Sequence, residues 1–107
     1  MRSLAVAAVS AAAVALAANA LAAEHTVLQK EKRFEPSTLS VKAGDTLVFR
    51  NDDGIVHNVY STTGGHEFNS GAQKPGSEIK VKFDKGGKVS VRCAMHPKMK
   101  LSVTVKD

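Results

Sequence analysis

One cysteine in a chain of 107 residues cannot make an internal disulfide, so a cystine framework is excluded as the brace of a small domain. No glycine-rich phosphate loop, internal repeat or dividing linker is present, which argues against nucleotide chemistry, repeat arrays and a second domain. No block of like charge occurs either. The 15 Lys and Arg against 10 Asp and Glu give a net charge of +5, with lysines scattered from Lys30 to Lys106. Such scatter reads as a solvated basic surface suited to an acidic partner.

What is abundant lies at the start. Twelve of the first 23 residues are Ala, Arg2 is the sole charge among them, and Leu4 to Ala18 is apolar apart from Ser10. A charged start, a short apolar run and the small residues around Ala20-Leu21-Ala22 predict a secretory signal peptide over 1–22, with a cut after Ala23 as the alternative. A membrane-spanning helix would need about 20 apolar residues and a basic stop signal, and neither is found. Nucleic acid becomes an unsuitable partner for an exported chain. With no cysteine near the cut to carry a lipid, the product should be a periplasmic monomer without a membrane anchor. Residues 23–107 then form one domain, small enough that its core alone is marginal and a further staple is expected.

From there the hydrophobic period is two: Leu39 and Val41; Leu47 and Phe49; Ile79, Val81 and Phe83; Val89, Val91 and Cys93; Leu101, Val103 and Val105. Turn residues bound these runs, as in Ala43-Gly44-Asp45 and Asp84-Lys85-Gly86-Gly87. With Thr26–Lys30 and Val56–Tyr60 they predict an all-β, antiparallel β-sandwich of seven to eight strands. A helix has room only in the irregular stretch from Ser61 to Gly76.

Chemistry concentrates in Cys93-Ala94-Met95-His96-Pro97-Lys98-Met99, which offers a thiolate, an imidazole and a thioether on one turn, while His57 supplies a second imidazole. A thiolate and two imidazoles with a weak thioether is the coordination set of a copper electron-transfer site. Soft sulfur favours Cu(I), nitrogen tolerates Cu(II), and an intermediate geometry lets the ion change state with little rearrangement. Zinc accepts similar donors but seldom recruits Met. Ligands on two separate segments would also cross-link the sandwich, making the metal the missing staple. A Cys-His pair on so tight a loop with Met following is a metal pattern rather than a nucleophilic one, so no enzyme is expected. Asp52-Asp53 read as turn residues.

The order His57-Asn58-Val59 then Cys93-x-x-His96-x-x-Met99, with Phe34-Glu35-Pro36, Val41-Lys42-Ala43-Gly44-Asp45-Thr46 and Phe49-Arg50-Asn51, resembles the cupredoxin family, the type 1 blue copper proteins of the amicyanin, pseudoazurin and plastocyanin kind. The resemblance runs from about Thr26 to Lys106. It implies a Greek-key sandwich, one type 1 copper held by His57, Cys93 and His96 with Met99 axial, Asn58 tying the two ligand segments together, and electrons passing through the edge of His96 to a redox partner protein. The chain departs from the pattern at Arg92, where an aromatic residue is common, and at Met95, where Pro is usual.

Two functions fit. One is an exported single-electron carrier; the other is a periplasmic copper-binding protein for tolerance or delivery, with accessory donors at His25, His66 or Met95. His25 matters if cleavage follows Ala22, because an amino terminus reading Ala23-Glu24-His25 offers Cu(II) a square-planar set of amine, two amides and imidazole. That would be a second, weaker copper site.

Overall fold

The computed structural model describes residues 21–107, and the signal peptide expected over 1–22 lies almost wholly outside them. Nine strands are described: β1 (Glu24–Lys30), β2 (Arg33–Glu35), β3 (Thr38–Lys42), β4 (Asp45–Asn51), β5 (His57–Ser61), β6 (Phe68–Gln73), β7 (Glu78–Phe83), β8 (Gly87–Arg92) and β9 (Lys100–Lys106). They form a four-stranded sheet, β2-β1-β4-β7, and a five-stranded sheet, β3-β9-β8-β5-β6. The expected sandwich is present. Two of its pairings, β1 with β4 and β3 with β9, are parallel, since each joins strands separated by a crossover rather than a hairpin.

Alternation decides which faces meet. In β9 Leu101, Val103 and Val105 are buried while Ser102 is exposed, and in β8 Val89 and Val91 are buried between exposed Lys88, Ser90 and Arg92. Those faces stack on Val27, Leu47 and Phe49 from the other sheet in one core. Phe49 makes an edge contact with Phe34 at 6.4 Å and a tilted one with Phe68 at 6.0 Å, and Phe68 continues to Phe83 at 6.1 Å. Phenylalanine thus links the sheets through the centre.

Two strands depart from the sequence expectation. The Ser61–Gly76 stretch holds β6, a polar edge strand whose register against β5 slips between Asn58 and Tyr60. β2 is three residues long and pairs back on β1 through Glu31 and Lys32, both in the left-handed region at φ 53° and 57°.

Buried amides lock the sheets beside the site. Gln29 Nε2 donates to Gln73 Oε1 at 2.8 Å, and Gln73 Nε2 donates to the Phe49 carbonyl at 2.8 Å. Asn51 Nδ2 donates to the carbonyls of Gln73 and Ile55, each at 2.8 Å, and its Oδ1 accepts the Asp53 amide at 3.0 Å. Hydrogen bonds of this kind satisfy polar groups that would otherwise be buried unpaired, and here they shape the loop that delivers His57.

Candidate metal centre

His57 opens β5 at the end of the loop shaped by Asn51, and its side chain is fully buried. Its Nε2 lies 2.6 Å from Asp53 Oδ2. With the proton on Nε2 donated to that carboxylate, Nδ1 is left with a free lone pair on the opposite side. Asp53 also accepts the backbone amides of Glu31 at 2.6 Å and Lys32 at 3.0 Å. Burial opposes its ionisation, but the hydrogen bonds from His57, Lys32 and Glu31 prevail and hold the carboxyl below its ordinary range. One side chain therefore clamps the left-handed β1–β2 turn to the histidine. Asp53, expected only as a turn residue, is thus part of the site, and its position four residues before His57 was the available signal.

Cys93 follows directly after β8 and is buried. Its Sγ is 3.8 Å from Nδ1 of His57 and 3.8 Å from Nδ1 of His96, and the three donor atoms all lie within 4.8 Å of one another. The two imidazoles meet edge to face, with ring centres 4.9 Å apart. A trigonal ion with bonds of about 2.3 Å to sulfur and about 2.05 Å to nitrogen would separate those donors by about 3.8 Å. The spacing fits a single ion between them.

Asn58 does what the resemblance implied. Its amide donates to Cys93 Sγ at 3.4 Å, its Oδ1 accepts the Ala94 amide at 3.2 Å, and its Nδ2 donates to Asn69 Oδ1 at 2.8 Å. The strand bearing one imidazole is thereby tied to the loop bearing the thiol and the other imidazole. His96 is half-buried and its carbonyl accepts the Met99 amide at 2.9 Å, closing the turn. Met99 is buried in the core, whereas Met95 is 51% exposed.

The remaining histidines are engaged elsewhere. His66 Nε2 donates to the Lys85 carbonyl at 2.8 Å and its ring packs edge-on against Phe83. His25 Nε2 lies 2.9 Å from Asp45 Oδ2. Among the described residues, only His57, Cys93 and His96 gather as a metal-holding group of His, Cys and acidic side chains. Neither His25 nor His66 belongs to that group, and each makes the hydrogen bond given above.

Fold and site together define a β-sandwich with a Cys and two His gathered at one end. A family model described as a cupredoxin-like domain matches residues 3–105. Plastocyanin of Scenedesmus fuscus is 33% identical over 86 residues, covering 68% of this chain and 86% of that protein. The solved structure of a reduced amicyanin variant superposes with a TM-score of 0.73 at 26% identity, over 78% of this chain and 82% of that one. A purple cupredoxin from Nitrosopumilus maritimus shares the fold, with a TM-score of 0.68 at 24% identity over 76% of this chain and 98% of that one. The chain belongs to the cupredoxin-like family. Copper is that family's metal, and His57, Cys93 and His96 form its candidate type 1 site.

Proposed function

We propose that this protein is an exported single-electron carrier, released from its signal peptide into the periplasm, with one copper held by His57, Cys93 and His96 and with Met99 as weak axial ligand. The observation that carries this reading is the equal 3.8 Å spacing of Cys93 Sγ from two imidazole Nδ1 atoms in a buried pocket. Copper supplies a one-electron couple between Cu(I) and Cu(II). The chain's part is to keep the donors in place through that change: Asp53 holds the His57 ring, Asn58 holds the sulfur, and the Met99 amide closes the His96 turn. Water is excluded from Cys93, while half-buried His96 offers an edge to a redox partner protein. Exposed Met95, Ile55 and Val56 supply apolar surface, and the net positive charge suits an acidic partner.

The rival reading, copper tolerance or delivery, needs surplus donors. Both His25 and His66 stand outside the one metal-holding group among the described residues, which supports the carrier. Copper titration followed by visible absorption tests the proposal. One equivalent should develop an intense thiolate-to-copper band, which Cys93→Ser abolishes because an alcohol oxygen cannot supply the covalent sulfur bond. A Ser variant that keeps the band removes Cys93 from the site.

A further inference from the structure

Away from the metal centre, the start of β1 meets a buried acid. Asp45, at the head of β4, is only 4% exposed. Its Oδ1 accepts Ala23 N at 2.9 Å, and its Oδ2 accepts Lys42 N at 3.0 Å and faces His25 Nε2 at 2.9 Å. No Lys or Arg among the described residues pairs with it, and His25 is its one ionisable partner. A carboxylate buried among neutral donors lacks the counter-charge that buried ions ordinarily have.

We propose that cleavage between Ala22 and Ala23 supplies that counter-charge, the newly formed α-ammonium of Ala23 seating as an ion pair on Asp45 and locking β1 beside β4. In the uncut chain the same nitrogen is a neutral peptide amide. Hydrolysis of the 22–23 bond turns it into an ammonium at an unchanged distance, so a hydrogen bond becomes an ion pair without rearrangement. The Ala23 carbonyl accepts the Thr46 amide at 3.0 Å, so residue 23 is gripped from both sides and sets the register of Glu24 against Thr46. Leu21, just before the cut, is 80% exposed. A cut one residue later would remove the donor. The pair also opposes the amino-terminal copper site: a square-planar wrap would take the amine from Asp45 and would bind the Glu24 and His25 backbone nitrogens at the start of β1.

This inference rests on the export reading and not on the copper reading. The test uses the exported, processed protein with copper present throughout. Intact mass should show a chain starting at Ala23. Enzymatic Nα-acetylation keeps the N–H and removes the charge, and it should lower the melting temperature by about 1–8 °C, the effect of one ordinary ion pair in a domain of this size. In the Asp45→Asn variant acetylation should change nothing. Should that variant not fold, NMR titration of the wild-type amine decides. Asp45 should hold the Ala23 amine above its ordinary value of about 8, against the opposing charges of Lys42, Lys106 and a protonated His25, which line the same cavity. A chain still carrying residues 1–22, or starting at Glu24, overturns the inference, the former taking the export reading with it. A chain starting at Ala23 that melts identically with and without the acetyl group, or whose amine titrates at or below the ordinary value, overturns the ion pair alone.

Discussion

Replacing Asp53 with alanine should destabilise the metal-free protein by about 2–4 kcal/mol. The carboxylate accepts three donors: Glu31 N, Lys32 N and His57 Nε2. The two amides lie at the surface and recover water, so their loss costs little in itself. His57 Nε2 is different, because its side chain is fully buried and an N–H left unpaired there costs about 1–3 kcal/mol. The rest comes from Glu31 and Lys32, whose left-handed backbone costs about 1–2 kcal/mol per residue and is held in part by the clamp. Urea unfolding in the presence of a chelator, followed by far-ultraviolet circular dichroism, should show the midpoint fall by about 2 M or more, given a slope near 1 kcal/mol/M. Adding Glu31→Asn with Lys32→Gly, the pair a type I′ turn prefers, should restore the hairpin's share and leave the histidine's share lost. A midpoint within about 0.5 M of the parent would refute the reasoning, showing that His57 finds another partner and that Asp53 does not anchor it.

Met99→Leu keeps a similar volume, so the fold should lose less than about 1.5 kcal/mol; copper should stay bound and the reduction potential rise, since losing even a weak donor takes more stabilisation from the doubly charged Cu(II) than from Cu(I). Unchanged potential and spectrum, measured by voltammetry and visible absorption, would make Met99 core filling alone. Asp45 has its carboxyl lowered from 3.8 to about 2 by hydrogen bonds from the Ala23 and Lys42 amides and from His25, against opposing desolvation. A depressed pKa contributes stability that is complete above the unfolded value and is lost as pH falls through the folded one. Acid unfolding should therefore steepen between pH 3.8 and about 2, and Asp45→Asn should flatten that limb in a pH series of melts. Finally, His25→Ala and His66→Ala should each leave one copper per chain by elemental analysis, and a fall in stoichiometry would favour copper handling over electron transfer.

Five alternating runs were legible as strands because a half-buried strand writes its two faces into neighbouring residues. β6 was not, because Phe68-Asn69-Ser70-Gly71-Ala72-Gln73 lies at a sheet edge, buries little, and uses Ser70 Oγ to accept the Val59 amide at 2.9 Å. β2 was not legible because three residues hold a single buried position, Phe34, too few to reveal an alternation. The two parallel pairings were equally out of reach, since they join segments whose association depends on the whole chain.

At the site, the kinds of donor were determined by the sequence alone: one thiol, one imidazole and one thioether spaced three residues apart on a turn, with Asn58 beside the other imidazole. Spacing within a loop is a local property, and local properties survive in a linear string. What only the tertiary structure decided was that His57 and Cys93, 36 positions apart, would stand 3.8 Å from each other, that Asp53 would bridge a distant hairpin to the buried histidine, and that Asp45 would gather Ala23 and His25 at the far end of the β1–β4 pair. Each of these depends on which strands lie side by side, and pairing is set by the burial of whole faces against one another rather than by any residue's neighbours in sequence.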